Sequence, residues 1–421
     1  MKRILVFTLI TAMLLGLCAC GASEVTETTA PPEGTEATTG VSYNYPEIRD
    51  KLTWEKIQAF PLKSNRMTED ELRQLCADFF IFSKTALWTP NQTVSYQKTK
   101  DGDTDEMIMG VVYGGLPYIG VASGNVYRLM DYMDEESGVV DMTEPMENPK
   151  LFGNQCSIAS YWGWARVINS ADFGWTYEMV QSRGFLRVGP YTYPDNLLRF
   201  STDLCQTTTV ALENGDQVMY QSYAAMKVAD GLVNYTTAGH AMMCTGAPVV
   251  VYRDDGTIDG AQSYLLITDQ YGNWTESTNE AGDTYQHKNY VNRKFTFQQL
   301  FLDGYLPFTF AEFLGTDPIE ETQVTFSHTE DTISLKQLMS GTVEANYGIS
   351  DIYAVVKDAQ GVEVYRCAQR AETAGVTSLP FGRAIQSEEW APYTGGGYTV
   401  EISCQLGTGE RPILYTGSLT K

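Results

Sequence analysis

The stretch GNQCSIASYW, residues 153–162, places a cysteine directly ahead of a proline-free run that extends to about Asn169. Ile158, Trp162 and Ala165 recur in this run at roughly helical spacing, which predicts a helix with Cys156 in its first turn. The N–H groups at a helix start have no intrahelical acceptor, and the helix dipole is positive there. Both effects favour a thiolate over a thiol, so Cys156 is a candidate nucleophile.

Two later segments supply the groups that such a thiol needs, an imidazole base and a third group that orients it. GHAMM, residues 239–243, places His240 at the start of an apolar run, and YLLITD, residues 264–269, predicts a buried strand ending at Asp269. Asp255 and Gly256 form a turn signal nearly midway between them. We therefore expect a hairpin that brings His240 and Asp269 side by side.

The residues in this order resemble the papain-like cysteine hydrolases: a cysteine at a helix start with aromatic residues behind it, a His-Ala pair opening a strand, and an apolar strand ending in a polar residue near Trp274. The resemblance implies that Cys156 is the nucleophile, His240 the general base and Asp269 the orienting residue. GLPY, residues 115–118, is similar to the Gly-x-Pro-Tyr segment of the NlpC/P60 cell-wall peptidases of the same superfamily.

The chain also departs from these families. Papain-type enzymes carry an oxyanion-hole Gln six residues before the nucleophile, where this sequence has Lys150, and the Asp-Cys-Ser-Gly signature of NlpC/P60 enzymes reads Gln-Cys-Ser-Ile here. We expect the backbone N–H of Cys156 to bind the oxyanion together with Gln155, Asn154 or Tyr118.

Trp274 follows the predicted strand closely, and we expect it to shield the contact between His240 and Asp269. The expected activity is hydrolysis of an amide bond in a protein or a peptidoglycan stem peptide. Two alternatives stay open. A transglutaminase-like acyltransferase also uses Cys, His and Asp in this order, and a binding lipoprotein with a degenerate hydrolase domain would need no activity.

The N-terminus predicts export. A basic Met1-Lys2-Arg3 segment precedes an apolar run, which ends in LCACG at residues 17–21. This pattern is typical of a lipoprotein signal peptide of residues 1–20, with lipid attached to Cys20; the alternative is an ordinary secretory signal cut near Ala22. Residues 21–45 have a composition typical of a disordered tether. The expected location is extracytoplasmic, with a lipid anchor in the cell membrane.

The amino-acid composition limits the classes of partner that the protein is expected to bind. The formal net charge of −23 argues against binding to nucleic acid and against electrostatic binding to anionic lipids or wall polymers. The expected partners are therefore a peptide or peptidoglycan substrate, and the membrane through the lipid anchor only. We expect no cofactor and no metal, because the three histidines lack metal-ligand spacing and no Cys-x-x-Cys occurs. His287 and His328 are predicted to lie on the surface.

The fold class predicted from these patterns is α+β, with a papain-like hydrolase domain at 46–316 whose N-terminal lobe spans 46–150. A capping-box pattern at 68–71 predicts a helix through about Lys84, and strands are expected at 206–212, 217–220, 241–252 and 261–269. Period-two alternation between turn signals predicts an immunoglobulin-like β-sandwich at 317–421.

Six cysteines follow the signal peptide, and a nucleophile must stay unpaired. Cys367 and Cys404 are predicted to lie in neighbouring strands of the sandwich and to form a disulfide. The pairing of Cys76, Cys205 and Cys244 is left open.

Overall fold

The structure, a computed structural model, describes residues 45–99, 102–120, 122–169, 176–179, 185–192, 207–235 and 239–421. The predicted signal peptide with Cys20, the tether up to residue 44, and Cys205 lie outside the described residues. Within the described ranges, no helix combines the length and the apolar character that a membrane crossing needs.

Helices and strands alternate irregularly along the described chain. The helices are α1 (Trp54–Gln58), α2 (Glu69–Thr85), α3 (Val126–Asp131), α4 (Thr143–Glu147), α5 (Pro149–Phe152), α6 (Cys156–Trp164), α7 (Thr176–Met179), α8 (Thr207–Asn214), α9 (Asp216–Ala224), α10 (Phe297–Leu302), α11 (Leu335–Ser340) and α12 (Ser387–Trp390). Two short 3-10 helices span Gly382–Ala384 and Ala391–Tyr393.

The first twelve strands are β1 (Leu87–Pro90), β2 (Val94–Gln97), β3 (Thr104–Met107), β4 (Tyr113–Gly114), β5 (Met133–Asp134), β6 (Val139–Val140), β7 (Leu186–Arg187), β8 (Gly231–Asn234), β9 (His240–Cys244), β10 (Tyr264–Thr278), β11 (Thr284–Thr296) and β12 (Leu306–Thr309). The remaining strands are β13 (Val324–Phe326), β14 (Thr332–Ser334), β15 (Thr342–Ala345), β16 (Ile349–Lys357), β17 (Glu363–Arg370), β18 (Ser378–Pro380), β19 (Thr399–Leu406) and β20 (Ile413–Thr420).

The fold is mixed α/β, compatible with the predicted α+β class. Among the described residues, the largest sheet has the strand order β5-β6-β1-β4-β11-β10-β9-β8-β12-β7. The antiparallel pair β9 and β10 lies near its centre, where α6 packs against both strands. One apolar core lies between α2, α6, α9 and strands β8 to β12, and a second core is built from α1, α3 and β1 to β4.

The helix that supports the sheet begins as the sequence predicts. Thr68 caps α2, its side chain accepts the N–H of Glu71, and the Glu71 carboxylate accepts the N–H of Thr68 in return. Gly163 of α6 lets the helix come close to its neighbours, because a Cβ there would collide with Phe80 of α2 and Met243 of β9. Close packing of α2, α6 and β9 therefore sets where the start of α6 lies.

The expected strands at 206–212 and 217–220 are wrong. The chain forms α8 from Thr207 and α9 from Asp216, with Gly215 between them at a φ of 83°, while residue 206 lies outside the described part. Both helices pack on α10, against the sheet. The β-branched run at 207–210 favours a strand locally, but packing on the sheet overrides such a local preference.

Residues 324–420 form two further sheets, of order β13-β15-β18 and β14-β20-β19-β16-β17. Their facing sides enclose one apolar core with Ile352, Trp390 and Ile402 at its centre. This core is separate from the other two. Contacts nevertheless join residues 45–421 into one compact unit.

The predicted disulfide between Cys367 and Cys404 is wrong. Cys367 lies on β17 and Cys404 on β19, and the central strand β16 pairs with both. Two strand spacings separate the cysteines by about 9–10 Å, beyond the roughly 7 Å that a disulfide allows between Cα atoms. Both are free thiols, as are Cys76, Cys156 and Cys244 in the described part of the chain.

Candidate active site

Cys156 is the first residue of α6 and is buried. The preceding residues are anchored by backbone bonds: the Asn154 N–H donates to the Pro117 carbonyl at 3.1 Å, and the Ile119 N–H donates to the Asn154 carbonyl at 3.1 Å. Gln155, with extended backbone, joins this ladder to the helix. The ladder places the 115–118 segment beside the thiol, so two stretches that the sequence singles out meet here.

His240 and Asp269 meet as predicted. β9 and β10 pair in antiparallel register with Met242 opposite Asp269, and the Nε2 of His240 lies 2.8 Å from the Oδ2 of Asp269. Gly239, at a φ of 46°, makes the left-handed step before His240 that favours glycine. Because Asp269 occupies Nε2, the imidazole presents Nδ1 to the thiol of Cys156, with which His240 is hydrogen-bonded.

Asp269 is fully buried, and an irregularity in the sheet helps to hold it. Between the pairs Ile267–Arg293 and Asp269–Tyr290, β11 carries one more residue than β10. Asn292 lies in this bulge at a φ of 51°, and its N–H donates to the Thr268 hydroxyl at 3.1 Å. Bulges re-aim side chains, and this one lies directly beside the carboxylate.

The charges on Cys156 and His240 stabilise each other. Burial alone raises the pKa of the Cys156 thiol, but the charge of His240 and its hydrogen bond lower the pKa below the ordinary value of 9.0. The backbone N–H groups of Ala241 and Ser157 lower it further. Burial favours the neutral imidazole, yet the charge of Cys156 and the bond to Asp269 raise the pKa of His240 to about 10. The stable form of the pair is therefore thiolate and imidazolium.

Tyr118 is the one candidate oxyanion side chain whose contact with the thiol is described: its hydroxyl is hydrogen-bonded to Cys156. Burial and the neighbouring Cys156 raise the pKa of Tyr118, so it stays an O–H donor at neutral pH. Asn154 instead donates its side-chain amide to the Gly124 carbonyl at 3.2 Å, and the side chain of Gln155 is buried. Lys150, which stands at the sequence position of the papain-type oxyanion-hole Gln, is exposed on α5 and does not replace that Gln.

The structure gives Trp274 no contact with His240 or Asp269, so the predicted shield is misplaced. Its indole N–H donates to Asp105 at 2.8 Å, and its ring packs on Tyr113. A wide bulge at residues 271–274 of β10 separates Trp274 from the paired strands near Asp269. The rings that flank His240 are Tyr271 and Tyr305, each with its centroid 6.4 Å from the imidazole.

Sequence reasoning missed two cations beside Asp269. Nη2 of Arg293 lies 3.5 Å from Oδ2 of Asp269, and the Arg293 side chain is 36% exposed. Lys84 is buried at the C-terminal end of α2. Lys84 follows Leu72, Cys76 and Phe80 at intervals of four, so the helical period alone places it on the buried stripe. This four-residue interval is the sequence signal that could have predicted the burial of Lys84. The sequence contains no such signal for Arg293, because only the register of β10 and β11 brings it close to Asp269.

The other histidines take no part in the site. His287 is buried, so its predicted surface position is wrong: Nδ1 bonds the Asn289 carbonyl at 2.7 Å and Nε2 bonds the Ser277 hydroxyl at 2.9 Å. The long β10–β11 hairpin covers it. His328 is partly exposed, 3.8 Å from Glu330. Among the described residues, no group of three His, Cys, Asp or Glu side chains is arranged to hold a metal ion.

No protein family, curated protein or solved structure matches this chain.

Proposed function

We propose that the protein is a cysteine hydrolase that cleaves an amide bond through Cys156, His240 and Asp269. The observation that carries the proposal is the aligned chain of contacts, in which a buried thiol at a helix start bonds an imidazole whose other nitrogen lies 2.8 Å from a buried carboxylate. This arrangement has the nucleophile, base and orienting residue that activated-thiol catalysis requires. A papain-like domain and an immunoglobulin-like C-terminal sandwich are the fold assignments that we propose with it.

The proposed reaction begins with His240 holding the proton of Cys156. The thiolate attacks the amide carbonyl, forming a C–S bond, while the backbone N–H of Cys156 and the Tyr118 hydroxyl donate to the oxyanion. The imidazolium of His240 then protonates the leaving amine as the C–N bond breaks. His240 then takes a proton from water, whose oxygen attacks the thioester. The C–S bond breaks, the acid product leaves, and the Cys156 thiolate and the His240 imidazolium are restored.

The proposed substrate is a protein or a peptidoglycan stem peptide. Export as a lipid-anchored protein, which the N-terminal sequence predicts, would place the enzyme where such substrates occur. The GLPY segment supports the peptidoglycan alternative, because Tyr118 of this segment contacts the thiol.

Thiol reactivity tests the proposal without knowledge of the substrate. We expect iodoacetamide near neutral pH to label Cys156 first, because burial raises the pKa of Cys244, Cys367 and Cys404 to about 12. The replacement His240→Ala should slow labelling of Cys156 at least about tenfold, since the imidazole no longer stabilises the thiolate.

His328→Ala is the matched control, because this histidine lies outside the site. Peptide mass spectrometry identifies the labelled cysteine. Equal labelling rates of Cys156 in the wild type and in His240→Ala would contradict the proposed function.

A further inference from the structure

Lys84 is a charged residue on the apolar stripe of α2. Its side chain is buried, with 1% of the residue exposed, and its Nζ lies 5.0 Å from the centre of the Phe80 ring. An isolated buried ammonium is costly, and lysine is rarely buried without a charged partner. The position therefore calls for compensating negative charge nearby.

The ammonium is bonded to the middle of β10, at the residue that follows Asp269. Nζ donates to Oε1 of Gln270 at 2.6 Å, and Nε2 of Gln270 donates to the Leu116 carbonyl at 2.9 Å. Gln270 directly follows Asp269, and Leu116 belongs to the segment that brings Tyr118 to the thiol. Lys84 thus bonds a residue that connects two walls of the site.

The negative charge that Lys84 meets is that of the site itself. With the thiolate, imidazolium and carboxylate formed, the three central residues sum to one negative charge in a buried place. Oδ1 of Asp269 is buried with no hydrogen-bond partner among the described residues. Arg293 also approaches Asp269, but solvent screens its partly exposed guanidinium.

Charged or titratable groups face this region from several elements packed around α2. They are Cys156 on α6, His240 on β9, Asp269 on β10, Arg293 on β11, Tyr118 ahead of α3 and Tyr305 ahead of β12. Of these, Asp269 and Cys156 are the ones whose charges act on Lys84. The positive charge of Lys84 therefore favours the thiolate rather than the imidazolium.

We propose that Lys84 is a positioning residue of the site, whose buried ammonium balances the negative charge of Cys156 and Asp269 and thereby stabilises the reactive thiolate. This inference rests on the proposed function, because it assumes that Cys156 reacts as a thiolate. Burial lowers the pKa of Lys84 to about 7, while Asp269 and Cys156 pull it upward. Lys84 is therefore mostly charged below about pH 7.

The test is the pH dependence of Cys156 alkylation in Lys84→Met, which keeps the length of the side chain and removes its charge. We expect the midpoint of the acidic limb to move up by about one pH unit, because the thiolate loses a buried positive charge that favours it over the thiol. A simple structural role would lower the yield of folded protein and leave the midpoint in place.

Lys288→Met is the matched control. Lys288 is equally buried on β11, but it is paired with Asp105 and lies over the Trp274 ring. Its replacement should leave the alkylation midpoint unchanged. An unshifted midpoint in Lys84→Met, with His240→Ala still slow, would overturn the role of Lys84 and leave the proposed function standing.

A second measurement needs no change at Lys84, in case Lys84→Met does not fold. Coupling between two sites is reciprocal, so removing the thiolate must lower the pKa of Lys84 by the amount that Lys84 lowers that of the thiol. We expect Cys156→Ala to lower the Lys84 pKa by about one unit, measured from the side-chain carbon shifts of labelled lysine. An unchanged Lys84 pKa in Cys156→Ala would contradict the proposal.

Discussion

The candidate site and the junction with the C-terminal sheets both bury charged groups, but they satisfy them differently. At the junction, Arg128 is buried and uses all five of its N–H donors, on Asp351, on the Ser123 hydroxyl and on three backbone carbonyls. At the site, Asp269 is equally buried, yet Oδ1 is left without a partner among the described residues.

The difference distinguishes an ion pair that stabilises the fold from a group of charges that we propose takes part in a reaction. A saturated network such as that of Arg128 holds one geometry and one charge state, because any change leaves a buried group unpaired. In the proposed reaction, by contrast, the site accepts a change of charge as a proton moves between Cys156 and His240.

The two regions are also connected. Arg128 donates to the Leu151 carbonyl at 2.9 Å, five residues before the thiol, and the Ser123 carbonyl accepts the indole N–H of Trp162 in α6 at 3.2 Å. Gly407 approaches α6 so closely that a Cβ would collide with Ala165. The C-terminal sheets therefore contact and support the segment that carries Cys156.

The largest expected effect comes from breaking the junction. Arg128→Ala leaves the Asp351 carboxylate and the carbonyls buried without their donor, and we expect it to lower the free energy of unfolding by about 3–5 kcal/mol in urea titrations. Arg366→Ala, which removes a largely exposed pair with Glu363, is the control and should cost less than about 1 kcal/mol. Similar losses of unfolding free energy in the two variants would show that the buried and the exposed ion pair do not differ in their importance for stability.

A smaller effect is expected from the carboxylate of the site. Asp269→Ala frees the imidazole of His240 to rotate and should slow Cys156 alkylation about tenfold. Asp269→Asn keeps a hydrogen-bonding oxygen at this place and should retain more of the rate. If the Asn variant were as slow as the Ala variant, the charge of Asp269 and not its orientation of His240 would be decisive.

The smallest effect concerns stability against pH, compared between wild type and Cys156→Ser. Unfolded imidazole and thiol have ordinary pKa values of 6.5 and 9.0, whereas in the folded protein the His240 pKa is about 10 and the Cys156 pKa is lowered. Above pH 9, only the folded pair keeps a proton, so stability falls until about pH 10.

The advantage of wild type over Cys156→Ser in urea unfolding should therefore decrease by about 0.7 kcal/mol between pH 9 and pH 10, and by about 1.4 kcal/mol in total once both titrations are complete. An advantage that is independent of pH across this interval would contradict the ion pair.

Local patterns determined much of this site. The capping box at Thr68 set the start of α2, and the run after Cys156 set the thiol at a helix start. The apolar run after His240 set β9, and the run before Asp269 set the first part of β10, which does not end at Asp269 as predicted but continues to Thr278. Each of these features depends on residues a few positions apart, where backbone hydrogen bonding and side-chain period act directly.

Only the tertiary structure decided the rest, because strand order and packing join residues that are far apart in sequence. β16 separates Cys367 from Cys404, so no disulfide forms, and packing on the sheet makes α8 and α9 helical where their residues suggested strands. Strand register brings Arg293 to Asp269, and the Gln270 bond places Lys84 beside it. The sequence by itself predicted that Cys156, His240 and Asp269 lie together, whereas long-range packing decided which charges surround them.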